Sequence, residues 1–100
     1  MARALLLVES KPASPDLAEE YHRWHEQTHL PEMLDVEGFA SARRWQAVDG
    51  DSFLTLYEID TDVEMARANL KAALASGRMS RPSAVHTDPP PAMRYFTPAP

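Results

Sequence analysis

The centre of the chain holds two strand-like runs joined by a tight turn, FASARRWQAVDGDSFLTLYEI at residues 39–59. An Asp-Gly pair between runs of aromatic, β-branched and aliphatic residues is the strongest short-range signal for a β-hairpin. The pattern predicts strands over residues 39–48 and 52–59 and a turn at 49–51. Alternate residues of a strand point to opposite faces of its sheet. In the second strand this alternation groups Phe53, Thr55, Tyr57 and Ile59 against Leu54, Leu56 and Glu58.

Helix signals flank the hairpin on both sides. Upstream, Ser14 as N-cap, Pro15 and Asp16 mark a helix start. Pro31 is tolerated only near the end of this helix, so an irregular turn is predicted over residues 32–37. Downstream, residues 61–64 form a capping box that opens a second helix. The predicted buried positions of the two helices are Leu17, Tyr21, Trp24, His25 and Thr28, and then Val63, Ala66, Leu70, Ala73 and Leu74, before a C-terminal cap at Gly77.

Two outer strands complete the pattern, at residues 3–9 and 93–96. The order strand, helix, strand, strand, helix, strand is that of a ferredoxin-like α+β fold, βαββαβ, with two helices on one face of a four-stranded antiparallel sheet. Leu5-Leu6-Leu7-Val8 is apolar on both faces, and large exposed apolar faces are rare in monomers. We therefore expect a homodimer, sheet against sheet about a two-fold axis. The alternative is a monomer whose Pro-containing loop, residues 78–91, folds over that face.

Composition limits the function classes. One hundred residues at 11.2 kDa predict a single domain, residues 1–100. A net charge of −5 lacks the basic footprint of nucleic-acid or membrane-surface binding, and no apolar run is long enough to span a bilayer. The absence of cysteine excludes disulfides and thiolate metal sites. These features predict a cytoplasmic protein whose partners are its own copy and a small molecule, with no nucleic acid and no membrane.

A family resemblance is carried by WHEQTHLPEML at residues 24–34, Gly38-Phe39 and ARRW at residues 42–45. These residues resemble the dimeric α+β barrel superfamily, most closely its EthD-like and related small members. The chain has Glu37 before Gly-Phe where many relatives have proline. The superfamily includes cofactor-free monooxygenases, polyketide cyclases, lactone isomerases and haem-binding enzymes, so the resemblance supports fold more than chemistry. It implies a pocket between helices and sheet, lined by His29.

The motif HExxH at residues 25–29 matches the zinc-protease pattern of two histidines one helical turn apart with a glutamate base. Asp35 lies where some metalloproteases place a third ligand. That arrangement needs glycine at position 32, where Glu32 stands, and Pro31 follows the motif directly. We interpret the match as coincidental and predict no metal site, although His22, His25 and His29 together could bind a transition metal weakly.

Acid–base chemistry is the leading functional hypothesis. Histidine ordinarily titrates near neutral pH, so His29 is predicted as general acid or base, and Tyr21, with its phenol on the same side of the helix, as oxyanion donor. The competing interpretation makes both residues structural. Candidate substrate-binding residues are Trp24, His25, Arg43, Tyr57, Tyr95 and His86. Arg43 and Arg44 point to opposite faces, so one of them can reach the pocket.

The sequence thus favours a cofactor-independent cyclase, isomerase or lyase that moves a proton beside the carbonyl of a polyketide-like or aromatic substrate. Two alternatives are left open: a non-catalytic binding protein of the same fold, and a cofactor-free or haem-dependent monooxygenase. Long loops in small domains act as lids or as arms that wrap a partner, which is the expectation for residues 78–91.

Overall fold

Four antiparallel strands form one sheet in the computed structural model, which describes residues 2–100. They are β1 Ala4–Ser10, β2 Phe39–Gln46, β3 Phe53–Ile59 and β4 Ala92–Phe96. Their order across the sheet is β2-β3-β1-β4, so the predicted hairpin pairs through β3 with the first strand. With helices between β1 and β2 and between β3 and β4, this arrangement confirms the predicted ferredoxin-like α+β fold.

The first helical region runs further than the sequence predicted. A 3₁₀ turn at Pro15–Leu17 leads into α1, Ala18–Trp24, then a π-helical turn at His25–His29, then α2, Leu30–Leu34. The prediction of an irregular turn from residue 32 was therefore wrong by three residues. Leu30 N–H bonds to the His25 carbonyl, five residues back. The ladder has already left α-helical register at the point where Pro31 supplies no N–H, so the proline is accommodated.

The second helix, α3, spans Val63–Ala75 and begins one residue later than the capping box implied. Asp62, not Thr61, is its N-cap, and Asp62 Oδ1 accepts from the backbone N–H of Glu64 at 2.9 Å and of Met65 at 3.3 Å. A carboxylate at this place also favours the positive end of the helix dipole. None of the helices within residues 2–100 is long and apolar enough to cross a membrane.

The core lies between the helices and one face of the sheet. Thr55, Tyr57 and Ile59 are buried there, while Leu54 and Leu56 lie on the other face, as the alternation predicted. The described core residues are Ala4, Leu6, Met33, Val36, Phe39, Tyr57, Ile59, Ala66, Leu70 and Ala73. The hairpin differs from the prediction in one respect: β2 ends at Gln46, and the connection is longer than the Asp-Gly turn alone.

The opposite face of the sheet keeps its apolar character. Leu5, Leu7, Leu54 and Leu56 are half-buried, and Trp45 is 50% exposed. The Pro-containing loop does not cover this face. Instead, Val85 forms a bridge with Pro12, and the loop packs along the helix-covered side.

Gly38, just before β2, provides a test of the fold. Its φ is +102°, and a Cβ placed there would lie 2.6 Å from Thr61 Cγ2. Gly38→Ala is expected to lower the free energy of unfolding by about 3 kcal/mol, combining backbone strain with overpacking. Gly50→Ala, at φ +106° with open space around it, isolates the backbone part and should cost about 1 kcal/mol. Urea unfolding measures both, and equal losses would contradict the predicted clash.

Candidate active site

A cavity of about 180 Å³ lies between the sheet, the π-helical turn and the Pro-containing loop. Apolar side chains form most of its wall. Within the described part of the chain, no Asp, Glu, Lys or Arg lines it. The lining residues are Val8, Ser10, Trp24, His25, His29, Met33, Leu70, Leu74, Met79, Pro82, Val85, Pro91 and Met93.

The π-helical turn aligns two of the polar lining residues. In an α-helix, residues five apart point about 140° away from each other. A π turn bonds residue i to i+5 and brings such residues to the same side. The rings of Trp24 and His29 accordingly stack, with centroids 4.5 Å apart and planes 14° from parallel. The departure from α-helical geometry therefore builds part of the cavity wall.

His25 has a defined tautomer. Its ring is buried, and Nδ1 lies 2.9 Å from the Tyr21 carbonyl oxygen. Because a carbonyl oxygen only accepts, Nδ1 carries the proton, and Nε2 of the neutral ring is left with its lone pair. Burial lowers the pKa of His25 to about 4. The bond to the Tyr21 carbonyl opposes this effect, and the charge of Arg44, with that of His29 and His22 when they are protonated, reinforces it. At neutral pH His25 is thus an uncharged proton acceptor beside the cavity.

Trp24 and His29 each hold a buried nitrogen without a hydrogen-bond partner, Trp24 Nε1 and His29 Nδ1. Burial lowers the pKa of His29, and the carboxylate of Glu32 partly opposes this. A buried polar group without a partner costs about 1–3 kcal/mol. Both rings line the cavity, but neither of these nitrogens is exposed to its open space.

Tyr21 does not line the cavity. The side chain is fully buried, and its hydroxyl lies 2.5 Å from Ser10 Oγ, which is itself a lining residue. The predicted role of Tyr21 as oxyanion donor is corrected accordingly, because its hydroxyl is hydrogen-bonded to Ser10 and does not reach the cavity. What Tyr21 contributes is its backbone carbonyl, which fixes the tautomer of His25.

The structure resolves which arginine faces the helices, and it is not the one chosen from sequence. Arg43 of β2 pairs with Leu56 of β3. Its side chain lies on the face of the sheet that the helices do not cover, the open face, with its guanidinium 5.6 Å from the Trp45 ring. Arg44 points to the helix-covered face. The prediction of Arg43 as a substrate-binding residue is corrected, because strand alternation places it on the far side of the sheet from the cavity.

The other predicted substrate-binding residues divide between wall and surroundings. Trp24 and His25 line the cavity. Tyr57 and Tyr95 point to the helix-covered face but stay outside the wall: Tyr57 is core, and the Tyr95 ring lies under the Arg67 guanidinium at 4.7 Å. Burial raises the pKa of both phenols. His86 lines a separate groove with Lys11 and the proline run, so its assignment to the cavity is corrected too.

The HExxH residues are not gathered with a third ligand. Within residues 2–100, no three His, Asp or Glu side chains come together as a metal-binding group. Glu26 is exposed, away from the buried His25. The histidines of the motif instead line the cavity.

Four loop residues that the sequence patterns did not single out line the cavity: Met79, Pro82, Val85 and Pro91. The loop was predicted as a lid or an arm from its length alone, and its length was the one signal available. Its bridge at Pro12 and Val85 and the bond from His86 N–H to the Lys11 carbonyl, 2.9 Å, hold it against the end of β1.

The buried His25 predicts a pH-dependent stability. Its folded pKa, about 4, lies below the ordinary value of 6.5, so the unfolded chain takes up the proton first as the pH falls. The stabilisation is present above pH 6.5 and is lost toward pH 4, with a drop in the free energy of unfolding of about 2 kcal/mol between pH 7 and pH 5. Urea titrations should show this drop in the native protein and a smaller one in His25→Gln. An unchanged drop in the variant would contradict the burial of His25.

Comparison with solved structures supports the ferredoxin-like α+β fold. A monooxygenase from the gene ActVA-Orf6 of Streptomyces coelicolor, solved in complex with nanaomycin D, superposes with a TM-score of 0.66 at 16% identity, covering 99% of this chain and 89% of that one. Rv0793 from Mycobacterium tuberculosis gives 0.57 at 13% identity, covering 97% and 96%.

A candidate monooxygenase from Shewanella loihica PV-4 gives a TM-score of 0.55 at 15% identity, covering 100% of this chain and 98% of that one. No protein-family model matches the chain, and no curated protein matches its sequence. At these identities the likeness is one of fold. The finer resemblance to EthD-like members is not among what these comparisons show.

Proposed function

We propose that the chain is a cofactor-independent monooxygenase for small, uncharged hydroxylated aromatic compounds. The observation that carries the proposal is the buried, neutral His25, with its Nε2 lone pair left free by the bond from Nδ1 to Tyr21, in a cavity whose walls are otherwise apolar. The fold is shared with one protein described as a monooxygenase and another described as a candidate for that activity, which supports oxygen chemistry over other uses of the same cavity.

The cavity limits the substrate. A cavity of about 150 Å³ accepts benzene, so a volume of about 180 Å³ suits one ring or two fused rings. With no charged side chain in the described wall, a carboxylate or ammonium group would be desolvated without a partner, at a cost of several kcal/mol. A neutral phenol or naphthol meets both conditions.

The reaction follows from the proton acceptor. His25 Nε2 takes the hydroxyl proton, and the resulting aryloxide is electron-rich enough to pass one electron to dioxygen, the second substrate. The radical pair joins at an unsubstituted ring carbon. Protonation by His25 gives a hydroperoxide, and loss of the ring C–H proton with cleavage of the O–O bond leaves a second carbonyl and water. For 1-naphthol, one dioxygen is consumed and 1,4-naphthoquinone and one water are formed.

His29 is proposed to donate a hydrogen bond to the substrate while His25 accepts its proton. A buried N–H without an acceptor is rarer in proteins than an under-used acceptor, so the partnerless Nδ1 of His29 favours the tautomer with the proton on Nε2. His29 then donates toward the cavity while His25 accepts. This donor holds the substrate oxygen as negative charge develops on it. The sequence-based assignment of His29 as general acid or base becomes, in this proposal, the role of a hydrogen-bond donor.

The cyclase, isomerase and lyase hypotheses share the proton transfer with this proposal but use no oxygen. The structural neighbours lend them no support. An oxygen electrode separates the two sets of reactions directly.

We also propose that the chain works as a homodimer through the open face of the sheet. Leu5, Leu7, Leu54 and Leu56 form an apolar centre there, with Trp45 and Phe96 exposed beside it. Apolar patches of this kind on a soluble protein typically mark an interaction surface.

The test of the proposed activity uses 1-naphthol with ¹⁸O₂. We expect one dioxygen consumed per naphthol, one ¹⁸O atom in the quinone and one in water. Saturable binding of 1-naphthol without oxygen uptake would support a binding protein instead. Conversion of 1-naphthol to an isomer without oxygen uptake would support an isomerase. Binding without oxygen uptake and isomerisation would each overturn the proposal.

A further inference from the structure

An arginine with no acidic partner lies behind the candidate active site. The Arg44 guanidinium lies beside two aromatic rings that contact each other, 5.5 Å from the centroid of Tyr21 and 5.6 Å from that of Phe53. Its Nη1 donates to His22 Nδ1 at 3.0 Å, which requires that nitrogen of His22 to be unprotonated. Nε and Nη2 are buried without a hydrogen-bond partner, and none of the ion pairs formed within residues 2–100 includes Arg44. Buried charges are normally paired, so this arrangement calls for an explanation.

The Tyr21 ring joins Arg44 to the cavity. It lies against the guanidinium and the His25 ring, with its centroid 5.5 Å from Arg44 Cζ and 4.4 Å from the centroid of the His25 ring. Arg44 Cζ therefore lies no more than about 10 Å from the centre of the His25 ring, across protein interior rather than solvent. At that separation a positive charge is felt strongly because screening by water is weak.

The groups that face His25 are all neutral or cationic. From α1 there are His22 and the Tyr21 carbonyl, from the π turn His29, and from β2 Arg44. No carboxylate is among them; the nearest acidic influences act on the other two histidines, Glu26 on His22 and Glu32 on His29. A protonated His25 would thus add a second buried cation with no counter-charge.

We propose that Arg44 is a positioning residue that acts through His25: its uncompensated charge, held beside Tyr21 and Phe53, adds to burial in disfavouring the protonated form of the His25 ring. The catalytic consequence rests on the proposed function, whereas the effect on His25 itself does not. The fixed positive charge also favours the aryloxide once the proton has left the substrate, since it attracts the negative charge that forms in the cavity. An acidic partner for Arg44 would cancel both effects, which accounts for its isolation.

The test is a ¹H–¹⁵N NMR titration of the histidine rings in the full chain and four variants. Arg44→Gln and Arg44→Met remove the charge, Arg44→Lys retains it, and Arg43→Gln removes the neighbouring arginine on the opposite face of the sheet. We expect the His25 midpoint to rise by about one pH unit in the two neutral variants, as Coulomb's law gives at an effective dielectric constant of about 20. The midpoint should stay in place in Arg44→Lys and Arg43→Gln.

Three results would overturn the proposal: an unmoved His25 midpoint in both neutral variants, an equal rise in Arg43→Gln, or an equal rise in Arg44→Lys. The persistence of the His25 Nδ1–H signal in each variant verifies that the local fold is kept, and Arg44→Met, with an apolar stem of similar length, serves if Arg44→Gln fails to fold.

A parallel measurement of 1-naphthol oxidation connects the inference to catalysis. The acid limb of kcat/KM should move to higher pH in Arg44→Gln by the same amount as the NMR midpoint. If the midpoint moves and no variant consumes oxygen, the proposed function fails while the role of Arg44 stands. If oxygen is consumed and the midpoint does not move, the function stands and Arg44 is merely structural.

Discussion

His25→Gln is expected to lower kcat for 1-naphthol oxidation by about 10²–10⁴-fold, the range for loss of a general base. Gln is similar in size to the histidine ring, but its amide cannot take the substrate proton. Oxygen uptake under saturating naphthol measures the effect. His86→Gln is the matched control, because His86 lines a separate groove, and its turnover should stay within about twofold of the native protein.

His29→Gln separates the two histidines. Complete loss of a hydrogen-bond donor to the substrate oxygen costs about 10²–10³-fold in kcat, but the Gln amide can still donate, so His29→Gln should lower kcat less than His25→Gln does. The alternative assignment, with His29 as the base, predicts the reverse order. Near-complete loss in His29→Gln together with mild loss in His25→Gln would contradict the assignment of His25 as base and His29 as donor.

Leu56→Glu is expected to abolish dimer formation. Leu56 of β3 lies near the centre of the open sheet face and pairs with Arg43 of β2. In a two-fold dimer the substitution places two carboxylates in one apolar interface, at a cost of about 4 kcal/mol or more, which weakens association about 10³-fold. Sedimentation velocity should show dimers for the native chain and 11.2 kDa monomers for the variant.

Leu34→Glu provides the comparison for that experiment. Leu34, at the end of α2, is 41% exposed and lies away from the open face of the sheet, so the same change of residue should leave the dimer intact. A native chain that sediments as a monomer, or a Leu56→Glu variant that still dimerises, would argue against the sheet face as the interface.

The sequence was informative where local rules act alone. The Asp-Gly turn, the strand alternation at Thr55, Tyr57 and Ile59, and the α3 stripe at Ala66, Leu70 and Ala73 each predicted a fold element from one physical signal. The outcome at Asp62 shows the limit of such rules, because Thr61 and Asp62 both suit an N-cap, and neighbouring structure decides between them.

The site was harder to predict because it depends on long-range placement. The sequence placed Trp24, His25 and His29 on one side of a helix, but the π turn that stacks Trp24 on His29 has no simple sequence signal. Strand alternation showed that Arg43 and Arg44 face opposite ways, yet only the assembled sheet shows which faces the helices. Tyr21 points inward as expected. Its hydroxyl does not face the cavity because it is hydrogen-bonded to Ser10, eleven residues away in the sequence.

The central claim is that a neutral aromatic hydroxyl compound binds in the cavity that His25 and His29 line. An NMR titration with 1-naphthol under nitrogen, where no turnover occurs, tests it most directly. We expect the ring signals of His25 and His29 to shift saturably while that of His86 stays fixed. Unmoved His25 and His29 signals at saturating naphthol, or equal shifts at all the histidines, would contradict binding at this site.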